Sequence, residues 1–536
     1  MHWATDERWA MRHETHYGSR VVRAYRDRPA NLDAMLRATA ARAPGQDAVT
    51  DEVAGTLTFA ALDAMVDALA GSLSAAGLKQ GDRLALLIGN RIEFLALCFA
   101  CYRLGAIAVP MNIRHRAPET AFELRQCGAA ALVYQPDMEP HLPDLKALPD
   151  LRLVYALDSD GYAALLRDAP APPAVTIHED DPATLLYTSG TTGKPKGAVL
   201  THFSIVSSAV HFAHAWQARP GDVTILAVPA SHVTGLVAIL VNMVNIGGHT
   251  VMMQAFKARA FLERAEKVRM TVGILVPAMY NLCLLDPEFE RFDLAQWRVG
   301  SFGGAPMPEA TIARLAKILP NLELMNAYGS TETTSPATLM PLGHTPEHTA
   351  SVGQPLPGAD ILVMDEDGNE VPRGQSGELW IAGPMVVPCY WNNPEADAKS
   401  FLHGYWKSGD IGRIDEGGYV HVHDRVKDMI NRAGYKVFSA EVENVLSHHP
   451  AVVECAVVAR PDPVLGERVQ AFVVPKDGGV EVAELRSFCA ERLSDYKVPD
   501  NITFLPDALP RNPNGKILKT DLRAMVAAEL EAAGKG

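Results

Sequence analysis

Long uninterrupted apolar runs are missing from this chain. The most apolar long stretch, Leu236–Met253, is broken by Asn242, Asn245, Gly247, Gly248 and His249, short of the ~20 clean residues that a bilayer-spanning helix needs. Met1–Arg20 mixes acids, bases and aromatics without an apolar centre, so no signal peptide is expected. Cysteine is sparse, with seven in 536 residues at 98, 101, 127, 283, 389, 455 and 489, which forms no disulfide framework. Cys98 and Cys101 make a Cys-x-x-Cys inside the apolar run 94–102, where burial accounts for them better than redox or metal chemistry. No block of basic residues stands out, and 63 acids against 49 bases give a net charge of −14, which argues against nucleic acid as a partner. Repeats and low-complexity linkers are lacking too. A soluble protein in the reducing cytoplasm is expected.

What is present is ordinary for a globular enzyme, with 48% apolar and 21% charged residues and length enough for several cores. Helical and strand patterns alternate from Asn31 to Leu319. They include a helix from Asn31 to Arg42, another opening at Thr58, and the unit strand Arg83–Ile88, helix Arg91–Arg103, strand Ala106–Met111. Strands 224–228, 250–253, 272–276 and 298–302 alternate with helices 236–246, 260–267 and 308–319, as a doubly wound α/β sheet requires. From about Ser351 short β runs and turns take over as a β-rich lobe, 351–424. After it a compact α+β pattern begins, in which Ser439 is placed to cap a helix over 440–448. The expected architecture is a large N-terminal domain, 1–424, and a small C-terminal domain, 425–536.

Tyr187 to Gly197 reads Tyr-Thr-Ser-Gly-Thr-Thr-Gly-Lys-Pro-Lys-Gly, with five hydroxyls, three glycines and two lysines in eleven residues. Two short strands joined by such a loop would aim N–H groups, hydroxyls and charge at a polyphosphate. The spacing is not that of the common mononucleotide loop, since only two residues separate Gly190 from Gly193 and Pro195 follows Lys194. A solvated Gly/Thr turn would look much the same. Further nucleotide-binding parts must therefore lie elsewhere, and four segments qualify. Gly303-Gly304-Ala305-Pro306 follows a strand and lets a flat ring approach the backbone. Asn326-Ala327-Tyr328-Gly329-Ser330-Thr331-Glu332 groups an amide, an aromatic ring, hydroxyls and a carboxylate suited to Mg2+. Asp410 follows a glycine turn and can accept bonds from ribose hydroxyls, and Lys516 stands on an Asn/Pro/Gly turn. Taken singly, each is also an unremarkable loop or a solvated charge.

Together, in this order and spacing, these segments resemble the adenylate-forming enzymes: acyl-CoA synthetases, firefly-type luciferases and peptide-synthetase adenylation domains. The likeness runs from about Asn31 to Leu522 and leans towards acyl-CoA synthetases. It implies ATP, Mg2+ and CoA as cofactor or co-substrates, with the small C-terminal domain mobile. By resemblance Thr188, Ser189, Gly190, Thr191, Thr192, Gly193 and Lys196 grip the ATP phosphates. Gly303 to Pro306 and Asn326 to Thr331 frame adenine and the α-phosphate, and Asp410 and Arg425 bind ribose. Thr188 and Glu332 hold the metal. Lys516, His232, Thr331 and Glu332 form the catalytic set, Lys516 bridging the acid and the α-phosphate. Lys427 is the expected hinge, and Gly434 with Lys436 meets CoA, with Arg432 a further candidate. Three departures stand out: Asp424 where glycine is common, Ser408 for threonine, and Ser439 where proline is common.

Pro229-Ala-Ser-His-Val-Thr-Gly235 matches the segment bordering the acyl pocket, which the resemblance lines with His232, Val233, Val237, Phe302, Gly303 and Ser330. A satisfied core histidine is the rival account of His232. No aspartate lies between Ser231 and Gly235 to pair a substrate ammonium, and the mostly apolar edge favours an uncharged aliphatic or aromatic acid, as in fatty acid metabolism. The expected reaction is acid–CoA ligation through an acyl adenylate. Alternatives are transfer to a separate carrier protein, luciferase-like oxygenation, and an inactive nucleotide-binding scaffold. Only 20 residues follow Lys516, so a fused carrier is not expected. The partners are the acid, ATP, CoA and a second copy of the chain as a homodimer.

Overall fold

The computed structural model describes residue 3 and residues 7–167, 169–188, 195–476, 479–511 and 517–533. The chain divides into two compact units. One holds Met1–Ile361, Trp380–Lys407 and Gly418–Val420, and the other holds Leu362–Leu379, Ser408–Gly417 and His421–Gly536. The strands Asp360–Met364, Gly377–Ala382, Tyr405–Ile414 and Val420–Arg425 of the β-rich stretch are each divided between them.

The first unit is α/β, as the alternating patterns predict. Its largest sheet has six strands in the order 196–201, 182–188, 107–110, 83–87, 131–134 and 153–156. The pairs within 107–110, 83–87, 131–134 and 153–156 are parallel, and Lys196–Thr201 closes the edge antiparallel to Pro182–Thr188. A four-stranded sheet joins 223–226, 249–252, 47–51 and 55–58, and a five-stranded one joins 272–275, 299–303, 323–328, 338–339 and 354–355. In the last, Val272–Leu275, Val299–Gly303 and Glu323–Tyr328 run parallel, so Gly303 and Tyr328 share its carboxyl edge, where ligands of open α/β sheets bind.

Helix Ile92–Leu104 is buried at all thirteen positions, which its nearly continuous apolar sequence explains and which accounts for buried, free Cys98 and Cys101. Asn31 and Thr58 act as N-caps rather than first helical residues, their side chains accepting from Ala34 N and Ala61 N. Gly105 ends the helix before it at φ 63°. The stretch 236–246 is helical as expected, but Thr234–Val241 is a π-helix that passes into the α-helix Asn242–Ile246. Its second residue is a glycine for space, since a Cβ on Gly235 would lie 2.2 Å from the Pro229 carbonyl oxygen. Sequence patterns missed the hairpin of Met11–His16 and Arg20–Tyr25, helix Ala117–Cys127 and the wholly buried helix His202–Ala215. Among the described residues no helix is long and apolar enough to cross a membrane.

In the second unit, Val452–Asp462 and Gly466–Pro475 form a long antiparallel pair with Asn501–Phe504 parallel to the latter, covered by helices Ser439–Ser447, Val482–Ala490 and Lys519–Ala533. Ser439 is not a cap. It is the first helical residue, and its N–H donates to the Asp424 carboxylate, which serves the helix end instead. The Ser439 hydroxyl accepts from Lys519 Nζ at 2.6 Å, and Lys519 also pairs with Glu443 at 2.7 Å.

One buried cation ties three helices of the first unit. Arg103, 3% exposed, reaches Asp33 at 2.6 Å, Asp63 at 2.5 Å and Asp67 at 2.8 Å. Arg103→Met removes the buried cation and leaves these carboxylates only the half-exposed Arg37, which reaches Asp33 at 2.9 Å and Asp67 at 3.3 Å. It is expected to destabilise the first unit by about 3 kcal/mol, read as a lowered unfolding midpoint in urea or on heating.

Candidate functional site

The hairpin at 187–197 has the expected strands, with Thr188 opposite Lys196 and Tyr187 opposite Gly197. Ser189, Gly190, Thr191, Thr192 and Gly193 lie outside the described residues, as does Lys194. The stem is held on both sides. Tyr187 lays its ring on Gly197, where a Cβ would come within 3.3 Å of it, and its hydroxyl donates to Gln126 Oε1. Gln126 Nε2 donates to the Trp391 carbonyl at 2.7 Å, and Trp391 N donates to the Gly197 carbonyl at 2.7 Å. The stretch around 389–391 therefore runs along the hairpin as an extra rung, bridging Tyr390 to Ala198 and Val199 N to the Cys389 carbonyl.

That rung brings the hairpin to Glu332. Lys196 Nζ stands 4.1 Å from the centroid of the Tyr390 ring, and the Tyr390 hydroxyl donates to Glu332 Oε1 at 2.7 Å. Ser330 Oγ donates to the other oxygen, Oε2, at 2.6 Å, and Val387 N donates to the Glu332 carbonyl at 3.0 Å. Glu332 is 6% exposed. Burial lowers the Lys196 pKa from its ordinary value, against the opposing pull of the Glu332 and Asp397 charges. Among the described residues the carboxylate is served by two hydroxyls and has further lone pairs to offer. A carboxylate oxygen is the donor type that a hard cation such as Mg2+ takes, and the Thr188 hydroxyl, across the stem, donates to the Lys196 carbonyl at 3.5 Å. Thr331 is half-buried beside it.

The segment meant for adenine lies on the neighbouring sheet. Gly303 pairs with Ala327, and a Cβ on Gly303 would sit 2.4 Å from the Ala327 carbonyl oxygen. Gly304 has φ +79°, and Gly304, Ala305 and Pro306 are exposed. Asn326 Nδ2 donates to the Ser351 carbonyl at 3.1 Å, so part of its amide is committed to the fold. The Tyr328 carbonyl accepts from Ala337 N at 2.8 Å. Gly329 has no room for a side chain, with Pro336 Cα 2.9 Å from where its Cβ would be.

Around the candidate acyl pocket, Val233 and Val237 belong to one core cluster and Phe302 to the adjacent one, with Met279 packed against both. His232 Nδ1 accepts from Thr234 N at 3.4 Å, and burial lowers the His232 pKa. The ring is thus neutral at pH 7 with its proton on Nε2. Ser330 spends its hydroxyl on Glu332.

The second unit holds the ribose and CoA candidates. Asp410 Oδ1 pairs with Arg425 Nε at 3.0 Å, and Asp410 N donates to Ser408 Oγ at 3.0 Å. A serine thus does the hydroxyl's work where threonine is common. Lys427 is exposed, and its carbonyl accepts from Arg523 Nη2 at 3.0 Å. Gly434 makes the turn of the hairpin Ile430–Arg432 and Tyr435–Val437 with φ +88°, after Ala433 at +53°, and Lys436 reaches Glu366 at 2.7 Å. Arg432 is spent inside its unit, on Asp500 at 2.7 Å and the Tyr496 carbonyl at 2.9 Å. Lys516 lies outside the described residues, although Arg511 and Ile517 on either side of that stretch are bridged.

Residues 36–391 match the family profile described as AMP-binding enzyme, and residues 441–516 the one described as AMP-binding enzyme C-terminal domain. The chain belongs to this family of adenylate-forming enzymes. It is similar to a long-chain-fatty-acid–CoA ligase of Mycobacterium tuberculosis, with 36% identity over 502 residues, 93% of this chain and 99% of that one. It is also 36% identical over 478 residues to a fatty acid–acyl-carrier-protein ligase of Streptomyces coeruleorubidus, covering 87% and 91%. Among solved structures it resembles the o-succinylbenzoate coenzyme A synthetase of Bacillus subtilis in complex with ATP and magnesium ion. The TM-score is 0.82 at 31% identity, over 91% of this chain and 99% of that one.

Sequence reasoning missed Tyr390, Gln126 and Trp391. The available signal was the adjacent aromatic pair Tyr390-Trp391 in an otherwise turn-rich stretch. Gly303→Ala forces a methyl group against a ladder carbonyl, and shifting an edge meant for a bound base by 1 Å is expected to raise the KM for ATP by about tenfold or more. Initial rates against ATP concentration measure it, with the melting temperature recorded alongside.

Proposed function

We propose that the chain is an AMP-forming acid–CoA ligase acting on an uncharged aliphatic or aromatic acid. The observation that carries this reading is the link, through Tyr390, between Lys196 on the phosphate-loop stem and the buried Glu332, in a chain of this family. An acid of pKa ~4 is ionised at neutral pH and needs no general base to attack. Its oxygen bonds to the α-phosphorus as the bond to the β-phosphate bridge breaks, and pyrophosphate leaves. Two anions must meet, so the residues that matter are those supplying positive charge.

In this reading residues 188–193 and Lys196 hold the triphosphate, and Gly303 to Pro306 with Asn326 to Thr331 hold adenosine and the α-phosphate. Asp410 and Arg425 take the ribose, and Lys516 meets the charge that gathers in the transition state. Thr188 and Glu332 would hold Mg2+, whose chemistry is to neutralise phosphate oxygens. His232, neutral and half-buried, gates the apolar side at Val233, Val237 and Phe302. In the second half-reaction the CoA sulfur bonds to the acyl carbon, the thiol proton leaves to solvent, and AMP departs. The 425–536 part would turn about Lys427 between the two steps and present Gly434 and Lys436 to CoA. A cytoplasmic homodimer belongs to the same proposal.

A carrier-protein acceptor is the second reading, favoured by the 36% identity to the acyl-carrier-protein ligase. A panel of aliphatic and aromatic acids, assayed for thioester with CoA and with carrier protein, separates the two. For the roles within the site, Lys516→Ala is expected to lose adenylation by about 10² or more. It should still form thioester from supplied acyl-AMP. Equal loss in both half-reactions would remove Lys516 from the role given to it.

A further inference from the structure

We infer that Tyr390 is a positioning residue of the adenylation site, setting Glu332 for the metal and Lys196 for the phosphates; this rests on the ligase reading above. Tyr390 lies in none of the segments that suggested nucleotide binding. Its ring is 2% exposed, and a residue needed only for packing there has no use for a hydroxyl. That hydroxyl donates to Glu332 at 2.7 Å. A phenol keeps its proton at neutral pH and an ionised carboxylate can only accept, so the hydroxyl is the donor.

The ring face meets the opposite charge. Lys196 Nζ lies 4.1 Å from the centroid, within cation–π range. Among the described residues, no hydrogen bond or ion pair takes up this ammonium, and none pairs it with Glu332. One side chain engages both charges, the ammonium over its face and the carboxylate at its hydroxyl. Both are thus left for a ligand, the lone pairs of one and the protons of the other. The tyrosine is fixed from behind, since Tyr390 N donates to Asp397 Oδ1 at 2.7 Å and its backbone bridges Ala198 on the hairpin. A shift of the hairpin therefore carries the ring, and with it both charges, as one body.

Two substitutions separate the roles. Tyr390→Phe removes the donor and keeps the ring, and Tyr390→Leu removes both. Acid-dependent exchange between ATP and pyrophosphate is followed against free Mg2+ and against ATP, with Glu332→Gln as reference. A readout without turnover accompanies it: the Mg2+ concentration needed for a non-hydrolysable ATP analogue to raise the melting temperature. Loss of a hydrogen bond to a charged group is expected to raise the Mg2+ half-saturation of Tyr390→Phe about tenfold in both readouts. Its kcat at saturating Mg2+ should stay within about twofold and its KM for ATP unchanged. Tyr390→Leu should raise the KM for ATP as well, by about threefold, as the face under Lys196 is lost. Unchanged Mg2+ dependence in Tyr390→Phe overturns the inference, as does a fall in kcat that added Mg2+ does not restore. If the wild type binds Mg2+ with the ATP analogue yet activates none of the acids, the ligase reading fails, and the melting comparison alone then decides on Tyr390.

Discussion

Placing a carboxylate in an interior costs several kcal/mol unless hydrogen bonds replace the water it loses. At Glu332 that replacement comes from Ser330 and Tyr390. Hydroxyls are weaker partners than a guanidinium, and they leave the negative charge uncancelled. A buried acid kept in this way remains hungry for a cation, whereas an arginine in the same place would have closed the account. The rest of the first unit can be understood as what holds this arrangement still. The hairpin stem, the rung through Tyr390 and the turn after Tyr328 each contribute one fixed edge.

The rigidity comes from elements far less polar than the site. Helices Ile92–Leu104 and His202–Ala215 are buried along their whole length. Arg103 shows the other way of keeping charge inside. It is surrounded by three aspartates, two within 2.6 Å and one at 2.8 Å, and nothing is left over for a ligand. Arg103 and Glu332 thus differ in unspent valence, the first saturated by its partners and the second still open to a cation.

Much of this was legible from residue order. Alternating apolar runs gave the α/β class, and the hydroxyl-and-glycine hairpin with Tyr328-Gly-Ser-Thr-Glu332 pointed to nucleotide chemistry that the family match bears out. What stayed hidden depended on tertiary contact. Helix His202–Ala215 carries three histidines and several serines, so its burial contradicts its composition. Ser439 reads as a cap by residue type alone, and only the approach of Asp424 changes that. Tyr390 is 58 residues from Glu332, and no local pattern could join them. Arg432 looked free for coenzyme A because its partner Asp500 comes 68 residues later.

Asp424 and Ser439 were noted separately, as two places where this chain departs from the usual glycine and proline. The structure makes them a single event. Proline has no N–H to give and glycine no carboxylate to receive it, so the common pair needs nothing between them, and the present pair needs each other. Asp424 is 8% exposed and Ser439 fully enclosed. Asp424→Gly alone strands the buried Ser439 N–H, and Ser439→Pro alone leaves the Asp424 carboxylate with the Arg425 N–H as its partner among the described residues. The two positions are therefore energetically coupled, and the effects of changing them do not add. In this chain the serine and the aspartate hold each other through a contact that serves the helix end.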